Sequence, residues 1–258
     1  MKKNSQIKTA VILCGGKGTR LGYLGKKLPK TLVKVRDKPI IWYIIKFLKK
    51  NSINHFILPV GHKGSMIKKY FTKNKEFKDV NLEIINTGQN SSIANRIFKI
   101  KKYIKSENFI LLNGDAIFMF DIKKILKNHS NKKSNITFLG CDTNLSYGVV
   151  GMENGKICSF ERDTNFFAVK TKLKKNFVGY IYSGISIINK KALSLKFKNF
   201  KNFEKQFYPE VIKMKKSNLE HINGFWYSID NQKDLSCIND KTNKNLKKKL
   251  NLLLKKIR

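Results

Sequence analysis

In its first half, the sequence alternates short apolar runs with longer stretches whose apolar residues recur at helical spacing. The apolar runs predict strands at residues 8–14, 54–61, 80–86 and 108–118. The stretches between them predict helices at residues 39–49, 65–73, 91–104 and 121–131. Strands that are apolar throughout are typical of a parallel sheet covered by helices on both faces. The alternation therefore predicts a Rossmann-like, doubly wound α/β fold, in which ligands bind at the carboxyl ends of the strands.

In the second half, strand patterns follow one another with tight turns between them. Strands are predicted at residues 135–142, 148–163 and 177–189, with a hairpin turn at Glu153-Asn154-Gly155, and a helix is predicted at residues 203–216. No linker composition separates the halves, so we expect one domain with a mixed sheet. Residues 241–258 predict a basic amphipathic helix that either packs back on the domain or meets a membrane surface or a partner helix.

The chain is strongly basic, with a formal net charge of +37 over 258 residues. Arginine occurs only at positions 20, 36, 96, 162 and 258, and the remaining excess is lysine spread over almost the whole sequence. This distribution lacks the clustered arginines and aromatic–basic motifs of nucleic-acid readers. We therefore expect a lysine-rich solvated surface and no nucleic-acid partner. Anionic substrates would still be steered toward the chain, less strongly at high salt.

The sequence also bears on location. No apolar run is long enough to cross a membrane, and no signal-peptide pattern follows the basic N-terminus. The cysteines Cys14, Cys141, Cys158 and Cys237 are far apart and form no close pair. These features predict a reducing, cytoplasmic location without stable membrane insertion. The oligomeric state is left open, a homo-oligomer included.

A glycine-rich segment, Gly15-Gly16-Lys17-Gly18-Thr19-Arg20, follows the first predicted strand. It matches neither the P-loop pattern nor the dinucleotide-binding fingerprint, because both need a glycine at a position that this chain fills otherwise. Glycines let backbone N–H groups approach phosphate oxygens, and Arg20 and Lys30 supply cations. The segment is either a phosphate-binding loop or a tight turn with incidental surface charges.

Asp115 ends another predicted strand, directly after Asn113-Gly114. A carboxylate at the end of an apolar strand has no packing reason to be there. Since the carboxyl ends of parallel strands meet at one edge of a sheet, we expect Asp115 and the glycine-rich segment to lie in one site.

Four segments occur in an order that is typical of one enzyme family. They are "VILCGGKGTRL" with "LPKTLVKV", "KPIIWYIIKFLKKNSINHFILPVGHKGSMIKKYF", "INTGQNSSIANRI" and "GFWYSIDNQKDL". Over residues 8–240 the chain resembles the sugar-1-phosphate nucleotidyltransferases, and most nearly their glucose-1-phosphate cytidylyltransferase branch. The resemblance implies a GT-A-like fold in one domain at residues 1–240. Residues 8–130 would be its nucleotide-binding half and residues 131–240 its smaller sugar-binding β region.

In that family a sugar-1-phosphate oxygen attacks the α-phosphorus of a nucleoside triphosphate, and pyrophosphate leaves. The resemblance implies this reaction here, with CTP, Mg²⁺ and a hexose-1-phosphate, in the synthesis of lipopolysaccharide or capsule precursors. It implies that Arg20 grips the triphosphate, that Lys30 stabilises charge at the α-phosphate, and that Asp115 and Asp230 bind Mg²⁺. The implied nucleotide-binding residues are Leu13, Gly15, Gly16, Gly18, Thr19, Thr87, Gly88, Gln89 and Arg96. The implied sugar-phosphate-binding residues are Glu161, Arg162, Tyr182, Ser183 and Gly184.

Departures from the family pattern fall on the acceptor and base side. Arg162 stands where a lysine is usual, Tyr182 stands where an asparagine is usual, and Ala94-Asn95 replaces two glycines of the cytidylyltransferase branch. They leave open GTP or UTP as the nucleotide, and a heptose-1-phosphate or phosphocholine-like acceptor. A binding relative that has lost turnover is also left open, although the retained triphosphate and metal residues favour an enzyme.

Overall fold

The computed structural model describes residues 7–144, 149–153, 156–161, 165–166, 168–170 and 178–257. The strands are β1 (Thr9–Leu13), β2 (Lys34–Val35), β3 (Lys38–Pro39), β4 (His55–Val60), β5 (Asn81–Asn86), β6 (Asn108–Asn113), β7 (Ala116–Phe120), β8 (Ile136–Cys141), β9 (Thr143–Asn144), β10 (Val149–Glu153), β11 (Lys156–Glu161), β12 (Asn165–Phe166), β13 (Ala168–Lys170), β14 (Val178–Asn189), β15 (Ser217–His221) and β16 (Gly224–Ser228). The α-helices are α1 (Tyr23–Lys27), α2 (Ile40–Lys50), α3 (Gly64–Lys73), α4 (Ile93–Ile100), α5 (Ile122–Asn131), α6 (Phe203–Lys213), α7 (Gln232–Asn239) and α8 (Lys244–Ile257). Short 3-10 turns lie at Thr19–Leu21, Lys30–Leu32, Lys75–Phe77, Lys101–Tyr103 and Lys190–Ser194.

The central sheet has the strand order β15-β8-β14-β6-β1-β4-β5. Strands β6, β1, β4 and β5 are parallel, whereas β14 runs antiparallel to its neighbours β6 and β8. Strand β15 pairs parallel with β8 at the edge of the sheet. The predicted α/β fold with a mixed sheet is confirmed.

Two apolar cores cover the two sides of this sheet. Ile12 of β1 and Leu112 of β6 belong to the core that includes α2. Val11 and Leu111, their neighbours along the same strands, belong to the core that includes α4 and α6. Successive side chains of a strand point to opposite faces, so a strand with helices on both sides needs apolar residues at every position. This is why the sequence shows continuous runs here.

One predicted strand is wrong in its extent. The run at residues 108–118 forms two strands, β6 and β7, which separate at Gly114-Asp115. A Cβ at Gly114 would lie 2.8 Å from the Leu13 carbonyl oxygen, so the backbone at the break packs closely on β1. After the break, β7 leaves the central sheet and pairs antiparallel with β16. The apolar pattern continues through both strands because both are buried.

The C-terminal helix α8 packs against α2. Its buried residues are Leu250, Leu253 and Ile257, while its lysines face solvent. The division of the domain at residue 130 and the domain end at residue 240 stay predictions. Within the ranges that the structure describes, no helix has the length and apolar content needed to span a bilayer.

Acid should weaken the fold through His129, a buried residue of α5 whose ring contacts β6 and β8. Its Nδ1 lies 2.8 Å from Thr137 Oγ1 and its Nε2 lies 3.1 Å from Asn108 Oδ1. Burial lowers the pKa of His129 to about 4. An unfolded histidine titrates near pH ~6.5, so between these values only the unfolded chain takes up the proton. We expect the free energy of unfolding to fall by up to about 1.4 kcal/mol per pH unit on acidification through this window.

Urea unfolding across this pH window checks the histidine effect. His129→Gln keeps a polar side chain and cannot titrate. The difference between wild type and variant isolates the histidine from the carboxylates that also take up protons in acid. Equal acid sensitivity in both proteins would contradict the assignment.

Candidate active site

A charged cluster of Lys30, Asp115 and Asp230 lies at the carboxyl edge of the sheet. Its three residues come from distant parts of the sequence. Lys30 Nζ donates to Asp115 Oδ2 at 2.9 Å and to Asp230 Oδ1 at 2.8 Å. Asp115 follows β6, and Asp230 follows β16. The Ile229 amide donates to the Asp115 carbonyl oxygen at 2.9 Å, which extends the pairing of β7 with β16. The backbone therefore places the two carboxylates side by side, and Lys30 joins them.

Both partners of the Lys30–Asp230 ion pair are held in their charged forms. Burial acts to lower the pKa of Lys30, but Asp115 and Asp230 outweigh it and raise that pKa. Burial acts to raise the pKa of Asp230, but hydrogen bonds and charge from Lys30, with the Ser228 hydroxyl, outweigh it and lower that pKa. The Lys30 side chain is 18% exposed, so the pair is only partly screened by water. The site thus holds a fixed ammonium group between two carboxylates.

The glycine loop, residues 15–18, leads from β1 into the 3-10 turn at Thr19–Leu21. Gly18 has a φ of 63°, a left-handed conformation that glycine adopts without strain. Arg20, in the turn, has a side chain that is 80% exposed, with Nη1 4.0 Å from Asp230 Oδ1. The loop therefore brings an exposed guanidinium to the rim of the charged cluster. This is the common site that the sequence predicts for the glycine-rich segment and Asp115.

Helix α1 packs so closely on the glycine loop that Gly25 has no room for a side chain. A Cβ at Gly25 would overlap the Gly18 carbonyl oxygen. Gly25→Ala should displace the loop and destabilise the fold by about 1–3 kcal/mol, the usual cost of overpacking. Gly16→Ala is the matched control, because a Cβ there meets nothing within 4 Å. Denaturation midpoints of the two variants measure the difference, and equal midpoints would contradict the packing argument.

Thr87, predicted to contact the nucleotide, is buried and its polar groups are bonded within the protein. Its amide and hydroxyl both donate to the Val60 carbonyl oxygen, at 2.9 and 2.8 Å. Its carbonyl oxygen accepts from Lys99 Nζ at 2.7 Å and from the Ser91 hydroxyl. Thr87 therefore fixes the end of β5 against the end of β4.

Gly88 and Gln89 continue from Thr87 toward solvent. Gly88 has a φ of 100°, which favours glycine, and the Gln89 side chain is exposed, with Nε2 3.4 Å from His62 Nδ1. Arg96 is buried and donates to the Gly15 carbonyl oxygen at 2.9 Å. Of this predicted group, Gln89 presents its side chain to solvent and Arg96 presents its own to the glycine loop. Their roles toward a nucleotide stay predictions.

On the predicted sugar side, β14 carries Tyr182, Ser183 and Gly184. The Tyr182 hydroxyl lies 2.8 Å from the Tyr208 hydroxyl, and burial raises the pKa of Tyr182. Trp226 Nε1 donates to the Ser183 carbonyl oxygen at 3.1 Å, which ties β14 to β16. Gly184 has a φ of 77°. The Tyr182 hydroxyl is therefore engaged with α6, and β14 is tied to the strand that precedes Asp230.

Of the remaining predicted acceptor residues, the structure describes Glu161 but not Arg162. Arg162 and the hairpin turn at Asn154-Gly155 lie outside the described residues. Glu161 is described as the last residue of β11, which pairs antiparallel with β10.

The structure adds two residues that sequence reasoning missed. Ser228 Oγ donates to Asp230 Oδ2 at 2.9 Å, and Asp234 Oδ2 accepts from the Asp230 amide at 2.8 Å. Asn231 and Asp234 form a capping box at the start of α7. The spacing of Asn231 and Asp234 is a capping signal that could have been found in the sequence, whereas nothing in the sequence singles out Ser228.

Comparisons with known proteins agree with this architecture. The family model for "Nucleotidyl transferase" matches residues 9–245. A probable glucose-1-phosphate cytidylyltransferase of Bacillus subtilis (strain 168) is 29% identical over 251 residues, which cover 89% of this chain and 94% of that protein. A D-glycero-alpha-D-manno-heptose 1-phosphate guanylyltransferase of Campylobacter jejuni is 32% identical over 208 residues, which cover 78% of this chain and 87% of that protein.

A solved structure supports the fold. HddC from Yersinia pseudotuberculosis, complexed with GMP-PN, matches with a TM-score of 0.65 and 22% identity, over 92% of this chain and 100% of that chain. At this identity the likeness concerns the fold alone. The family match, however, extends from β1 to the start of α8 and includes every residue of the charged cluster. The chain therefore belongs to the nucleotidyl transferase family.

Proposed function

We propose that the chain transfers the nucleotidyl group of a nucleoside triphosphate to a sugar-1-phosphate and releases pyrophosphate. The observation that carries the proposal is the Lys30 ammonium between Asp115 and Asp230, with Arg20 at its rim and the glycine loop beside it. Two polyanions must be brought together for this reaction, so cations and backbone N–H groups have to hold them. The product would be a nucleotide sugar, a precursor of surface polysaccharide.

The two aspartates fit a magnesium ion. Among the described residues no three His, Cys, Asp or Glu side chains gather, but Mg²⁺ is usually held by one or two carboxylates together with phosphates and waters. Asp115 Oδ2 and Asp230 Oδ1 already converge on one cationic group, at 2.9 and 2.8 Å from Lys30 Nζ. Asp115 and Asp230 would therefore hold Mg²⁺ that arrives with the triphosphate. When bound, the ion would supply charge neutralisation at the phosphates.

The chain's own cations divide the remaining work. Arg20 has an exposed planar guanidinium, which suits bidentate contact with the departing pyrophosphate. Lys30 is held rigidly by its two carboxylates, so its ammonium would stabilise charge that develops at the α-phosphate. A bond forms between the sugar phosphate oxygen and the α-phosphorus while the bond from that phosphorus to the pyrophosphate breaks. The attacking phosphate is largely deprotonated at neutral pH, so the mechanism needs no general base.

We propose CTP as the nucleotide, and GTP is the second candidate. The probable cytidylyltransferase relative matches 89% of this chain at 29% identity, and the Campylobacter jejuni guanylyltransferase matches 78% of it at 32% identity. Gln89, which is exposed beyond Thr87, is the side chain that we propose reads the base, because its amide can both donate and accept.

A pyrophosphate-release assay tests the function and the choice of nucleotide. Each ribonucleoside triphosphate and dTTP would be paired with glucose-1-phosphate, D-glycero-α-D-manno-heptose 1-phosphate and phosphocholine, with Mg²⁺ present. We expect the fastest release with CTP and a sugar-1-phosphate. Release with GTP alone would reassign the base, and no release with any pair would overturn the proposed function.

A further inference from the structure

Arg96 of α4 is a buried cation that joins the ends of three parallel strands. The residue is 5% exposed. Nη2 donates to the carbonyl oxygens of Gly15, after β1, and of Gln89, after β5, at 2.9 and 3.4 Å. Nη1 donates to the carbonyl oxygen of Val60, the last residue of β4, at 3.2 Å and to Thr87 Oγ1 at 2.6 Å. The planar fork of an arginine is suited to such divergent bonds.

The charge of Arg96 has no carboxylate partner in the described part of the chain. None of the ion pairs there, counted up to 4.0 Å, includes Arg96. Burial lowers the pKa of Arg96, but a guanidinium keeps its proton in a protein. A buried charge without a counter-ion is costly, so this position carries a cost that its hydrogen bonds to carbonyl oxygens offset only in part. A polyanion at the glycine loop would supply the missing negative charge.

The glycine residues around Arg96 show how closely its guanidinium packs. A Cβ at Gly15 would overlap the guanidinium, and so would a Cβ at Gly61, which follows β4. Two backbone segments therefore contact the guanidinium where any other residue would displace it. The position of Gly15, at the start of the glycine loop, depends on this side chain.

We propose that Arg96 is a positioning residue that acts on the nucleotide through the glycine loop. The N–H groups of its guanidinium hold Gly15 against the ends of β4 and β5. Its charge, which has no carboxylate partner among the described residues, attracts the nucleoside polyphosphate to the loop. This differs from the direct contact that the family resemblance implies, because its Nη1 and Nη2 groups bond within the protein. The inference rests on the proposed function, since it takes the glycine loop to be the phosphate-binding loop.

Titration calorimetry with a nucleoside triphosphate and Mg²⁺ tests the charge. Arg96→Gln removes the charge and most of the fork, and we expect its Kd to rise about tenfold or more. Lys102→Gln is the matched control, because Lys102 is an exposed lysine in the 3-10 turn directly after the same helix. We expect the control to stay within about twofold of wild type. Equal Kd values for wild type and Arg96→Gln would overturn the proposal.

Arg96→Lys tests the branched hydrogen bonding of the guanidinium. It also keeps the proposal testable if Arg96→Gln does not fold. Lysine keeps the charge but cannot bond Gly15 and Val60 together. We expect its Kd to stay within about threefold of wild type while kcat falls about tenfold or more, because the loop is no longer fixed. Wild-type kcat in Arg96→Lys would overturn the fork's role. A nucleotide-bound structure in which Arg96 leaves Gly15 to contact the nucleotide would overturn the proposal as a whole.

These outcomes separate the inference from the proposed function. If wild type binds no nucleoside triphosphate and releases no pyrophosphate, the proposed function fails, and the inference fails with it. If wild type binds and turns over while Arg96→Gln and Arg96→Lys behave like it, the inference alone fails.

Discussion

Replacing Asp115 with asparagine is expected to lower kcat by about 10³-fold or more and to leave the fold intact. Asparagine has nearly the same shape, but it removes one of the two charges that hold Lys30 and that we propose bind Mg²⁺. Asp115 lies in the turn between β6 and β7, with a side chain that is partly exposed, so the fold does not depend on packing around it. Steady-state kinetics with saturating substrates measure kcat, and a urea unfolding curve measures the stability of the fold.

The same substitution at an aspartate outside the site controls for the loss of one negative charge. Asp79 pairs with Lys49 on the surface, away from the charged cluster. Asp79→Asn should keep kcat within about twofold of wild type, as is usual for an exposed ion pair. Near-normal turnover in Asp115→Asn, or an equal loss in both variants, would refute the role of Asp115.

Lys30→Met is expected to lower kcat by about 10²–10³-fold, the size of effect that follows from removing one preorganised charge. Methionine fills a similar volume, so the loss reports the ammonium. The change also leaves Asp115 and Asp230 without the cation that both contact, and two carboxylates that share a site raise the pKa of one of them. We therefore expect the pH profile of turnover in the variant to gain an additional acidic step that the wild-type profile lacks.

The control for Lys30→Met is the same substitution at a lysine outside the site. Lys124, exposed on α5, has no place in the site. Lys124→Met should leave kcat and its pH profile unchanged. A wild-type pH profile together with wild-type kcat in Lys30→Met would contradict the assignment.

The sequence predicts the half of the site that lies near strand ends. The apolar runs locate β1 and β6, and the carboxyl ends of parallel strands meet at one edge, so the glycine loop and Asp115 could be placed together before the structure. Asp230 is different. It reaches Asp115 because β16 pairs antiparallel with β7, and neither strand belongs to the central sheet. Periodicity shows that a strand is present but not which distant strand it pairs with. The resemblance to a family, not the local pattern, placed Asp230.

The sequence also could not show which polar side chains are buried and bonded within the protein. Nothing in the sequence around Arg96 distinguishes an arginine that reads a ligand from one that is buried against glycine. Only the positions of Gly15 and Gly61 in space show that their backbones leave room for a guanidinium. Tyr182 is a similar case, because its hydroxyl meets Tyr208 of α6 through packing of a helix on the sheet.

The proposed reaction cleaves the bond between the α-phosphorus and the pyrophosphate. It is tested most directly by following the α- and γ-phosphates of one nucleoside triphosphate, each radiolabelled in a separate reaction with the sugar-1-phosphate that gives turnover. We expect the α-label in the nucleotide sugar and the γ-label in pyrophosphate, in equal amounts. Release of the γ-label as free phosphate, or its transfer to the sugar, would rule out nucleotidyl transfer.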